Sequence, residues 1–180
     1  MKKRLQSFVT KFVIAYLFVA SVLFVLQRDM LYFPTNAAPM PVSVGLQEVE
    51  VVGLTTPDAE DITLWHAQAA PGSPSVLFLH GNGGEIADRS HRFAAYQDAG
   101  FGALFVSWRG YGGSAGRPTE TGLITDALAA YDWLLETGVT AQTIAVVGES
   151  LGTGVAVQLA TQREVGAVLL GAPFTAAVDI

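Results

Sequence analysis

Gly148-Glu149-Ser150-Leu151-Gly152 fits the pattern Gly-x-Ser-x-Gly and stands between two apolar runs in "IAVVGESLGTGVAVQLA". A serine hydroxyl is a weak nucleophile until it is presented in the open and paired with a base. A sharp strand-to-helix elbow does the presenting, and it needs glycine at Gly148 and Gly152 because the turn leaves no room for side chains. The elbow also sets the amide of Leu151 at a helix start, where it can face a developing negative charge. An ordinary glycine-rich turn is the other reading of the bare pentapeptide, a pattern that arises often by chance. The buried strand before it and the helical pattern after it favour the nucleophile mount.

A second group lies upstream. "HGNGG", His80–Gly84, closes the apolar run "SVLFLH". Its glycines allow a ligand to approach the backbone closely, and the amide of Asn82, next to Gly81, can serve as the second donor to an oxyanion. A phosphate-binding loop is the rival reading. It is disfavoured because no Lys-Ser/Thr follows and the dinucleotide spacing is absent. His80 precedes the serine and reads as structural. His66 falls in a strand-like run and His91 on a helical face, and neither is assigned chemistry. There is no cysteine, which excludes disulfides and thiolate metal sites. No metal or organic cofactor site is expected.

These residues need a scaffold. "QEVEVVG" and "DITLWHAQ" alternate with period two around turn residues and read as a hairpin. "SVLFLH" and "GALFVSW" are short continuous apolar runs suited to strands buried on both faces. "TIAVVG" and "VGAVLLG" read as further strands. Helical patterns lie between them at "EIADRSHRFAAYQDAG", at "SLGTGVAVQLATQR" and at "TETGLITDALAAYDWLLETG", whose stripe is Leu123, Ala127, Leu128, Tyr131, Leu134 and Leu135. Strands alternating with helices imply a mostly parallel sheet with helices on both faces.

The N-terminus is different in kind. All three lysines (Lys2, Lys3 and Lys11) fall in the first eleven residues, and Phe8–Leu26 is apolar apart from Lys11 and a few small polar residues. A spanning helix needs about 20 such residues. A cleaved signal peptide is the competing reading, but its small-residue site would fall either inside the apolar run or well beyond it. An uncleaved anchor is expected over residues 1–28, entering the lipid bilayer through residues 8–26. The Lys/Arg excess before the span places the N-terminus in the cytoplasm and the body on the extracytoplasmic side. "PTNAAPMPVSVG" reads as part of a linker over 29–46, and the folded body as 47–180. From Asp29 onward five arginines face sixteen acids, a balance that disfavours nucleic acid as a partner.

"LFLHGNGG", "WRGYGGSAGRPTETGL", "DALAAYDWL" and "VVGESLGTGVA" stand in the order and spacing of an α/β-hydrolase. The chain resembles the membrane-anchored serine-hydrolase branch related to serine-aminopeptidase-like and depalmitoylase-like hydrolases, and "RDMLYFPT" after the anchor is similar to that branch too. The resemblance covers nearly the whole chain. It implies Ser150 as nucleophile, Asn82 and Leu151 as oxyanion amides, and Arg109–Gly112 as a loop shaping the pocket beneath the serine. Trp108 stands where relatives often have tyrosine. The superfamily's chain order is serine, acid, histidine, yet no histidine follows Ser150, and Asp179, the only acid after Glu164, comes too early. The expectation is a C-terminally incomplete α/β-hydrolase fold, inactive alone, whose parent cleaves an ester, thioester or amide in a small-molecule or acyl-containing substrate. The alternative is a non-catalytic membrane-anchored protein that uses the fold to bind.

Overall fold

The computed structural model describes residues 2–35 and 37–174. Asp179 lies outside the described residues. Two compact units divide the chain at Phe33/Pro34.

The first unit is one helix, α1 (Lys2–Leu31). Over Lys2–Gln27 it is long and apolar enough to cross a membrane, with a mean hydropathy of 2.3 over an 18-residue window. Its apolar residues go all the way round and are exposed. The Thr10 and Ser21 hydroxyls donate to the carbonyls of Gln6 and Leu17 one turn back, so neither polar group is left unsatisfied in an apolar setting.

The second unit holds a six-stranded sheet in the order β1-β2-β4-β3-β5-β6. Strands β1 (Glu50–Thr55) and β2 (Asp61–Ala67) form the expected hairpin. Its turn is closed by the Thr56 hydroxyl donating to Asp58 at 2.7 Å. Strand β2 runs antiparallel to β4 (Gly102–Ser107), while β3 (Ser75–Leu79), β4, β5 (Ile144–Glu149) and β6 (Ala167–Gly171) pair in parallel. Every residue of β3 and β4 is buried, as continuous apolar runs demand.

The two faces of the sheet carry different helices. Phe78 and Phe105 stack at 4.4 Å, and Phe93 of α2 (Ser90–Asp98) meets Phe105 at 4.8 Å. Trp65, Val76 and Ile86 complete this layer. The alternate residues of the strands face the other way, towards α3 (Glu120–Glu136) and α4 (Leu151–Gln162).

Three local readings change. The helix expected from Glu85 begins as a 3-10 turn over Ile86–Arg89, with Glu85 and Asp88 forming a reciprocal cap, and becomes α-helical at Ser90. On α3, Leu135 is exposed, while Asp126 and Ala130 share the buried stripe. Asp126 is admitted because Arg109 pairs with it. The stretch from Pro34, expected within a linker, groups with the body: Pro41 opens a 3-10 turn over Pro41–Val44, Pro41 and Leu46 are buried, and Thr35 donates to Glu85 at 3.0 Å.

Candidate active site

Ser150 sits between the last residue of β5 and the first of α4, with φ 49° and ψ −115°. That backbone is strained for any residue with a side chain, at a cost of about 1–3 kcal/mol, and such strain collects at functional positions. The surroundings enforce it. The Ser150 amide donates to the Gly171 carbonyl at 2.8 Å, and the Ser150 carbonyl accepts from the Thr153 amide at 2.8 Å and the Thr153 hydroxyl at 2.6 Å. A β-carbon at Gly148 would lie 2.5 Å from the Gly152 carbonyl oxygen, and one at Gly152 would collide with the Leu79 carbonyl. The two glycines therefore permit α4 to start directly against the ends of β3 and β5.

The loop after β3 reaches the same place. A β-carbon built at Gly81 would stand 3.3 Å from the Ser150 β-carbon. His80, Gly81, Asn82, Gly148, Ser150, Leu151 and Gly152 are thus brought together at the carboxyl ends of the parallel strands, where open α/β sheets place their ligands. Ser150 and Asn82 are half-buried and Leu151 opens α4.

His80 is fully buried. Its Nδ1–H donates to the Gly81 carbonyl at 2.7 Å, since a carbonyl can only accept. Burial pushes the imidazole down to about 3, so the ring is neutral and is not a general base at neutral pH. The unfolded chain takes up this proton below about pH 6.5, whereas the folded one does so only near pH 3. Stability is therefore expected to drop as the pH is lowered through that window, by about 1.4 kcal/mol per unit from this group. Urea unfolding of the full-length protein between pH 7 and 4.5 checks this: His80→Asn should flatten the slope, and an unchanged slope would contradict it.

His66 and His91 lie elsewhere. His66 is in β2, edge-on to Trp133 at 5.0 Å, and His91 is exposed on α2. Among the described residues no cluster of histidine, cysteine or acid is arranged to hold a metal ion. Two clefts, of about 410 Å³ beside Thr35, Gly110 and Arg117 and about 460 Å³ beside His66, Ser75 and Thr140, are not lined by Ser150.

Sequence reasoning missed two charged supports. Glu149, immediately before the serine, accepts from Arg89 at 2.7 Å and pairs with Arg92 at 3.5 Å, tying the elbow to the 3-10 turn and to α2. Arg109 is almost fully buried. Its backbone amide and guanidinium donate to Asp126 at 2.7–3.0 Å, and its outer nitrogens grip Asp58 at 2.7 and 3.0 Å. The guanidinium holds Asp58 well below the usual carboxylate range. Burial pushes Asp126 upward, against the hydrogen bonds from Arg109. Asp126 sits one residue from an expected core position on α3, and only the chemistry of its partner makes it a buried residue.

A strained serine between a parallel strand and a helix, with a glycine loop from the neighbouring strand β3 against it, defines a hydrolase-type scaffold. The chain belongs to the α/β-hydrolase fold family, whose family model matches residues 74–176. An uncharacterized protein of Mycobacterium tuberculosis is 39% identical over 158 residues, covering 86% of this chain and 56% of that protein. The lysophosphatidylserine lipase ABHD12 of Bos taurus is 36% identical over 122 residues, covering 62% of this chain and 30% of the lipase. An α/β-hydrolase structure from Vibrio vulnificus superposes with a TM-score of 0.57 at 32% identity, covering 71% of this chain and 44% of the other. The chain spans little more than half the length of the mycobacterial relative and under a third of the bovine one.

Proposed function

We propose that this chain carries the nucleophile half of a membrane-anchored serine hydrolase acting on an ester, thioester or amide. The observation that carries the reading is the backbone of Ser150, φ 49° and ψ −115°, held at the β5–α4 junction against Gly81. Ser150 Oγ attacks the substrate carbonyl carbon and gives its proton to a histidine. The amides of Asn82 and Leu151 receive the oxyanion. The histidine then protonates the leaving group, and water releases the acyl group from Ser150. In the chain order serine, acid, histidine, the acid and the base follow Ser150 in the full-length protein. The lipase among the relatives supports an acyl lipid as substrate, as does the apolar helix α1. The experiment is turnover of p-nitrophenyl acetate by the full-length protein beside Ser150→Ala. Loss of turnover in the variant supports the reading, and equal turnover overturns it. A full-length protein that neither turns over esters nor acylates would be a binding protein built on the fold.

The anchor has its own prediction. Lys2, Lys3, Arg4 and Lys11 lie before or early in the span, against Arg28 beside Asp29 on the far flank, so the N-terminus stays in the cytoplasm. A phosphatase reporter fused after residue 60, active only outside the cytoplasm, is expected to be active. A silent phosphatase with an active cytoplasmic reporter at the same site would reverse the orientation.

A further inference from the structure

The loop carrying Asn82 has an unusual set of restraints. Three successive carbonyls, those of His80, Gly81 and Asn82, each accept a side-chain hydrogen bond. Trp108 Nε1–H donates to His80 at 3.0 Å, His80 Nδ1–H to Gly81 at 2.7 Å, and the Tyr111 hydroxyl to Asn82 at 2.9 Å. The side chains of His80, Trp108 and Tyr111 are fully buried, and the His80 ring packs at 5.5 Å from Trp108 and 5.4 Å from Tyr111. The donors are themselves fixed. The Tyr111 amide donates to the Trp108 carbonyl at 2.8 Å, and the Tyr111 carbonyl accepts from the Ser107 hydroxyl at 2.9 Å. Arg109, between them, is locked to Asp126 and Asp58.

A peptide unit is planar and trans, so holding its C=O fixes the direction of its N–H. The Gly81 carbonyl and the Asn82 amide belong to one peptide unit. The Asn82 carbonyl belongs to the next. Gripping both fixes the planes on either side of the Asn82 α-carbon. A hydrogen bond accepted by the Gly81 carbonyl also polarises that peptide and strengthens its N–H as a donor.

We infer that His80, Trp108 and Tyr111 are positioning residues that aim the Asn82 amide at the oxyanion by holding the three carbonyls of its loop. This rests on the proposed role of Asn82 at Ser150. His80 thereby acquires a task as a neutral donor, in place of a base. The Trp108–Tyr111 segment acts through the loop it holds and need not touch substrate.

The test uses the full-length protein, an ester substrate, and a trifluoromethyl ketone, whose adduct with a serine carries an oxyanion. Tyr111→Phe removes one hydroxyl and keeps the ring. It should lower kcat about 10-fold, less than the loss of an oxyanion donor itself, with KM within about 2-fold, because the amide acts in the transition state. The ketone's Ki should rise in step with the loss of kcat/KM. His80→Asn, which can still offer an N–H near the Nδ1 position, should retain more activity than His80→Leu. If His80→Leu does not fold, Tyr111→Phe decides alone. Wild-type kcat and Ki in Tyr111→Phe would overturn the inference, and so would a fall in kcat with Ki unchanged. Ser150→Ala serves as the separate control: turnover that survives it removes the underlying reading, while turnover lost in Ser150→Ala and intact in Tyr111→Phe removes only the clamp.

Discussion

Ser150→Ala in the full-length protein is expected to lower ester turnover by about 10⁴–10⁶-fold while leaving the fold intact. The size follows from what the hydroxyl does. In the proposed mechanism it is the atom that forms the new bond to the substrate carbonyl. The oxyanion amides and the binding surface would remain, which is why a residue of activity above the uncatalysed rate should persist. The fold should tolerate the change because the elbow is held by backbone contacts: the Ser150 amide to Gly171, and the Ser150 carbonyl to Thr153. An unchanged melting temperature with lost turnover is the expected pair of results. A variant with a lowered melting temperature and a proportionate loss of turnover would instead make Ser150 a structural residue.

Asp126→Ala is expected to cost about 3–5 kcal/mol of stability, the usual scale for removing one partner of a buried ion pair. Asp126 is fully buried and accepts three hydrogen bonds from Arg109. Without it the Arg109 backbone amide and Nε lose their acceptor in a setting with little water, and the guanidinium is left with Asp58 alone. Asp58→Ala should cost far less, about 1 kcal/mol or below, because Asp58 is about half exposed and solvent screens its pairing with Arg109. Urea denaturation of the two variants beside the wild type separates the cases. Equal losses would mean that burial is not what makes the Asp126 pair matter. The Asp126 variant should also lower kcat, since Arg109 anchors the segment that holds the Asn82 loop.

The strands could be read from the chain because their apolar runs are short and end in glycine, proline or aspartate. Ser75–Leu79 and Gly102–Ser107 had to be buried on both faces, and they are. Ser150 could be singled out because the elbow needs glycine at two fixed positions, and the backbone contacts at Gly148 and Gly152 give the steric reason. The pairing order could not be read: β4 lies between β2 and β3, and apolar content does not say which buried strand is whose neighbour. The charged supports escaped for a related reason. Asp126 on α3 and Glu149 beside the serine look like ordinary helix and turn acids until Arg109 and Arg89 are brought to them across the fold. Tyr111 and Trp108 read as pocket-shaping or core aromatics. Only the three-dimensional structure pairs their donors with consecutive carbonyls of a single loop.

The central claim, that Ser150 is a nucleophile that becomes acylated, is tested most directly by covalent trapping. The full-length protein is treated with a fluorophosphonate and digested, and the modified peptide is mapped by mass spectrometry. One adduct is expected, on Ser150, formed in the wild type and absent from Ser150→Ala. Equal labelling of both proteins, or an adduct mapped to another residue, would contradict it.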